Sequence, residues 1–164
     1  MLYMLNYFNQ IKLSDEYSFY YKTWLASFVA VVLANALVHN LIIDKFYEID
    51  LIKILRTIKD PAVPALELNV ISYAVLTAVM VFFISKALPK RHIVPMGTLY
   101  GMLFGLAVFL LHTCVNYAML RNWSVAIVII EICWGILQGG LIGYITAFIY
   151  KDHIKRGLFG IFKG

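Results

Sequence analysis

What is scarce in this chain narrows its class first. Of its 164 residues only 14% are charged, while 62% are hydrophobic and the mean hydropathy is +0.82. A soluble domain is about half apolar and about a quarter charged, so water could not solvate this composition in a folded state. Cysteine is also scarce. Cys114 and Cys133 are the only two, and no Cys-x-x-Cys occurs. That excludes a disulfide scaffold and gives no basis for thiol exchange. Each reads as a small buried hydrophobe, and their helical positions do not face each other, so no disulfide is expected. No nucleophile elbow, phosphate loop or dinucleotide fingerprint appears, and neither Glu-x-x-His nor His-Glu-x-x-His is present. No catalytic residue is assigned, and an enzyme is not the expected class. The class that survives is an integral membrane protein.

What is present is four long apolar runs, at about residues 24–43, 63–88, 94–120 and 124–150. A helix needs about 20 mostly apolar residues to cross a bilayer, and all four runs reach that. No ten-residue alternation supports a β-barrel. The expected fold is all-α, a four-helix transmembrane domain over residues 24–150 arranged as an antiparallel bundle. Lys and Arg number nine on one side (residues 12, 22, 86, 90, 91, 151, 155, 156 and 163) and five on the other (45, 53, 56, 59 and 121). The excess puts both termini in the cytoplasm.

Residues 1–23 lack a signal-peptide pattern and are rich in aromatics, among them Tyr3, Tyr7, Tyr17, Phe19, Tyr20 and Tyr21, which suits an interfacial segment. The tail 151–164 mixes Lys and Arg with Leu158, Phe159, Ile161 and Phe162. It reads as a segment lying on anionic lipid headgroups, with no nucleic-acid motif beside it. The loop 44–60 places Tyr47, Leu51, Ile54, Leu55 and Ile58 on one helical face and Lys45, Lys53, Arg56 and Asp60 on the other. That is an external amphipathic helix, either a surface element or a lid over a pocket.

Two sets of glycine recur every four residues. Gly97, Gly101 and Gly105 lie in the third run, and Gly135, Gly139 and Gly143 in the fourth. Lipid offers little hydrophobic drive between helices, so backbones that approach closely gain most. The two stripes fall at overlapping depth and are expected to face each other, with a homodimer face as the competing use.

Polar residues inside spans are costly and are functional candidates. They are Asn35 and His39, Glu67 and Asn69, His112 and Asn116, and Glu131 and Gln138. His39, Glu67, His112 and Glu131 all lie about 5–12 Å inside the outer surface. On the third helix His112 sits about 20° from the glycine stripe and Asn116 about 60°, while Glu131 and Gln138 flank the fourth helix's stripe by about 80–100°. The pocket candidates are therefore His112, Asn116, Glu131, Gln138, Glu67, Asn35 and His39. The alternative is a closed hydrogen-bonded layer that fixes helix register. Trp123 suits the interface, and Trp134 reads as packing.

The sequence Gly101-x-x-x-Gly105, Asn116-x-x-x-Leu120-x-x-Trp123, then Glu131-x-x-Trp134-Gly135 resembles a family of small bacterial inner-membrane proteins of unknown function with four predicted spans. The likeness is best over residues 97–144. That family tends to carry Asp before the Asn of the third helix, where this chain has Thr113, and Asp where Glu131 stands. Residues 1–22 and the basic tail look like additions to it. The resemblance implies fold and location, and no particular activity.

Three functional readings follow. The leading one is a non-enzymatic protein that binds or translocates a small polar solute or proton through an outward-facing polar pocket. The alternative is a structural or accessory subunit of a larger membrane complex, or a homo-oligomer. The third is a redox protein holding haem between His39 and His112, or a metal; no cofactor is otherwise expected and no metal ligand is assigned.

Overall fold

The computed structural model describes the backbone of residues 2–38, 65–120 and 123–161, and the side chains of 15–38, 69–120 and 123–154. Four helices account for almost all of it: α1 (Leu2–Val38), α2 (Ala65–Ala87), α3 (Ile93–Met119) and α4 (Val125–Ile161). No strand occurs among the described residues. Each helix contains a stretch long and apolar enough to cross a membrane, at Asp15–Val38, Asn69–Ala87, Ile93–Met119 and Val125–Ile154. The protein is therefore an all-helical, four-span bundle. The amphipathic segment 44–60 lies outside the described residues.

The helices end where local chemistry ends them. Residues 1–40 contain no Pro and no Gly, so nothing interrupts α1 between Leu2 and Val38. The helix therefore takes in the aromatic segment as well as the apolar run. Phe19 is buried there, with its ring 5.2 Å from Tyr20 and 5.8 Å from Tyr150. At the other terminus α4 continues through Lys151 to Ile161. The α2–α3 turn closes on His92, whose φ of 55° and ψ of 38° are left-handed, and the His92 carbonyl accepts from Met96 N at 3.0 Å. Histidine is one of the few residues that enter this region with some frequency. Ser124 starts α4 as an N-cap, accepting at Oγ from Ile127 N at 3.4 Å.

The α3–α4 pair is the closest in the bundle. A Cβ added at Gly101 would overlap the Gly139 carbonyl, one at Gly105 the Gly135 carbonyl, and one at Gly143 the Gly97 carbonyl. Four residues forward on α3 is four back on α4, so the helices are antiparallel in constant register. Only glycine lets two backbones touch this way. The contact follows rows of every fourth residue, the packing expected when such ridges interdigitate. Phe109 and Thr113 extend the α3 row; Ala147, Glu131 and Ile127 extend that of α4.

A second face of α4, with Gln138, Ile142 and Thr146, is buried against α1 and α2. Val31, Met80, Val81, Ile84 and Ile142 form the apolar core of that junction. Outward positions such as Leu33, Leu37, Ile71, Val75, Phe83, Leu103, Leu111, Leu137 and Phe148 are exposed and suit a lipid environment. Cys114 and Cys133, expected to be buried, are instead exposed and unbonded. Both stand off the glycine rows, so they face away from the helix contacts.

Candidate functional site

The polar residues of the spans sort into two places. The first lies where α1, α2 and α4 meet. Asn35 ends a buried row on α1 (Thr23, Ser27, Val31, Asn35), each one turn from the next. Its Oδ1 accepts from Trp134 Nε1 at 2.9 Å and from Gln138 Nε2. Trp134 and Gln138 are themselves one turn apart on α4, so both reach the same acceptor. The Tyr73 side chain, from α2, lies beside Gln138 and Asn35 and near Glu131. An indole and an amide of α4 are thus tied to the amide of α1, with the phenol of α2 and a carboxylate alongside. Such ties carry weight in lipid because no water competes for the partners.

Glu131 sits one turn before Gly135 on the α3-facing row of α4 and is half-buried. By the α3–α4 register it falls opposite Phe109, whose ring covers Gly135. Among the described residues it is the one carboxylate placed inside a span away from the span's ends.

The second place is the outer part of α3. His112 is exposed, and its Nε2 is 2.9 Å from Asn116 Nδ2. With the amide donating, the ring proton sits on Nδ1. The residue that turns inward is the neighbour, Thr113, which is fully buried and accepts at Oγ1 from Trp123 Nε1 at 3.3 Å. The physical reason is the row geometry: contact runs along Gly105, Phe109 and Thr113, one position on from His112. His39 lies outside the described residues, as does the side chain of Glu67; Asn69 is exposed.

Trp134, read from the sequence as packing, belongs to the polar layer, and Tyr73 lies beside it. The available signal was chemical: a phenol or indole N–H inside a span needs a partner. Three further buried groups, the hydroxyls of Thr23, Ser27 and Thr77, have no hydrogen-bond partner. Each would ordinarily cost about 1–3 kcal/mol if left so.

Two other features are separate from this layer. An open apolar groove of ≈ 280 Å³ between α1 and α2 is lined by Tyr20, Tyr21, Trp24, Ala78, Val81 and Phe82. Lys86 Nζ lies 5.8 Å above the Tyr20 ring at its edge. Among the described residues no group of three His, Cys, Asp or Glu side chains could hold a metal ion.

Compared with known proteins, residues 20–148 match the family model described as predicted membrane protein (DUF2177). No curated protein and no solved structure matches the chain. The match takes in α1 from Tyr20, all of α2 and α3, and α4 to Phe148, and so covers most of the 164 residues. The chain belongs to this family of membrane proteins.

Proposed function

Taking that membership as the premise, we propose that this chain binds or moves a small polar solute or proton at the layer built by Asn35, Tyr73, Trp134, Gln138 and Glu131. The observation that carries the reading is the double acceptance at Asn35 Oδ1 from Trp134 and Gln138, with the Tyr73 phenol beside it and the Glu131 carboxylate within a turn of Trp134 on α4. Uncharged ties alone would serve register. A carboxylate placed within a span beside a phenol is a different investment, because a charge there is expensive. It supplies a group that can take up and release a proton.

The layer lies toward the end of the bundle that carries the α3–α4 turn. The Lys and Arg excess, nine against five, supports that end as the outer one with both termini in the cytoplasm, and the family resemblance supports a bacterial inner membrane. The layer then lies nearer the outer surface than the cytoplasmic one.

The test is proton flux into sealed vesicles holding the purified chain and an internal pH dye. Wild-type vesicles should dissipate an imposed pH gradient faster than protein-free ones. Glu131→Gln should return the rate to the protein-free level with an unchanged unfolding midpoint. Equal flux in wild type and variant would remove Glu131 from the function, and no flux above empty vesicles would remove the proton as substrate.

A further inference from the structure

The groove between α1 and α2 takes no part in the polar layer, and one small residue sets its shape. Phe82 and Ala78 stand one turn apart on α2. At Phe82 a ring meets Tyr20 of α1, with centroids 6.0 Å apart. At Ala78 there is only a methyl group, and the space it leaves opens outward between Tyr21, Trp24 and Val81. Trp24 is held from swinging in to close it. Its Nε1 donates to the Ala74 carbonyl across the seam at 2.9 Å, and its ring stacks on Phe28 at 5.9 Å. The walls are therefore fixed, and the ≈ 280 Å³ between them stays open toward lipid.

One end of the groove carries a charge. Lys86, one turn beyond Phe82, is exposed, and its Nζ lies 5.8 Å from the Tyr20 ring centre and 6.0 Å from that of Phe82. A lysine that only snorkelled would extend away from the bundle to reach water. This one turns back over the two rings, so its ammonium stands at the groove mouth. An aromatic face satisfies part of the charge and leaves N–H groups to donate. From Lys86 to Ala78 is about 12 Å along the helix. The groove thus runs parallel to the helices, from a cation toward the middle of the span, over an apolar lining. That is the order of parts in a phospholipid, a phosphate followed by an acyl chain. Lys22, Lys90, Arg91 and Lys151 lie at the same end of the bundle. It is the end proposed to be cytoplasmic, where anionic lipids collect.

We propose that this groove is a binding site for one anionic phospholipid, with the headgroup phosphate paired to Lys86 and an acyl chain seated against Trp24 and Ala78. Free phosphate would make no use of the apolar seat, and a zwitterionic lipid would bring its own cation toward Lys86. The site is independent of the Asn35 layer and of any proton function.

The experiment is native mass spectrometry of the full chain released from detergent micelles. The probes are phosphatidylglycerol and phosphatidylcholine with identical acyl chains, offered in equal amounts. The wild type should retain one phosphatidylglycerol, about tenfold in preference to phosphatidylcholine, equal to ~1.4 kcal/mol. Lys86→Gln should bring that preference close to unity, and Lys86→Arg should keep it. Lys151→Gln, which removes a charge at the same end on α4, should leave it unchanged. Ala78→Leu should lose retention of both lipids without lowering the unfolding midpoint, since position 78 is exposed. Lys86 is exposed as well, so its variants test the site even if Ala78→Leu disturbs folding. Equal retention of the two lipids by the wild type would overturn the proposal. So would a preference that falls as much with Lys151→Gln as with Lys86→Gln, which marks general surface charge. Undiminished retention in Ala78→Leu would remove the groove as the seat. A dimer mass in place of the lipid adduct, lost in Ala78→Leu, would give the groove to a second copy of the chain.

Discussion

Helix α4 has two working faces, and they hold their neighbours by opposite means. Toward α3 it offers Gly135, Gly139, Gly143 and Ala147, and the backbones themselves touch. Toward α1 and α2 it offers Gln138, Ile142 and Thr146, and the contact is made by side chains. The first seam has no room for a methyl group and no polar side chain at its glycines. The second contains an amide, an indole, a phenol and three hydroxyls without protein partners. In lipid both solutions work, one through close packing and the other through hydrogen bonds. They differ in what they leave available. A backbone seam is complete once formed, whereas a polar seam has groups that can still bind something.

Substitutions can break this contrast, and the largest effect should come from the glycine seam. A Cβ at Gly139 would overlap the Gly101 carbonyl and come within 2.9 Å of the Gly105 Cα. Backbone cannot yield as a side-chain tip can, so Gly139→Ala should cost about 3 kcal/mol, the upper end of ordinary overpacking. Reversible unfolding in mixed micelles would measure it. A loss below that of the polar-seam variant would show that α3 and α4 are not held chiefly by this contact.

An intermediate effect is expected at the polar seam. Asn35→Leu keeps similar bulk but strands the donors of Trp134 and Gln138. The expected loss is about 1–3 kcal/mol, together with the flux that depends on the layer. If stability fell while flux persisted, the layer would be a register device only.

The smallest effect sharpens the comparison from within α4. Gly140 is also buried, but its added Cβ would meet side chains alone, Met102 Cγ at 3.0 Å and Thr98 Cγ2 at an ordinary 3.9 Å. Met102 is exposed at 37% and flexible, so it can move aside. Gly140→Ala should change stability by no more than ~0.5 kcal/mol, with the better helix propensity of alanine offsetting the displaced contact. A loss as large as that of Gly139→Ala would mean that any bulk on α4 is harmful and that the row carries no special meaning.

The four spans were legible in the sequence because length and apolarity alone decide whether a segment can cross lipid. Four apolar runs were read, and four apolar helices stand in the same chain order. The glycine spacing was visible as well. Less of the polar seam was. Asn35 and Gln138 stood out as amides inside spans, but Thr23, Ser27 and Thr77 did not, since a hydroxyl can usually satisfy itself on its own helix. Trp134 passed as a packing residue for a similar reason, and Tyr73 did not stand out at all. Their apolar bodies dominate a composition count, and the single polar atom matters only once a partner is in reach. The choice between His112 and Thr113 as the buried residue turned on one position along the helix. A mean direction for the glycine stripe favours His112, whereas ridge packing carries the contact along every fourth residue to Thr113.

By itself, then, the sequence determined the solvent, the class of fold and the number of spans. All three follow from how much apolar chain must be kept from water, and that quantity sums over residues regardless of which of them touch. Only the tertiary structure decided that Asn35 meets Trp134 and Gln138, that Thr113 turns inward, and that three hydroxyls have no protein partner. Those outcomes depend on register between helices far apart in the chain, and a shift of one residue rotates each helix by about 100° and sends every side chain elsewhere.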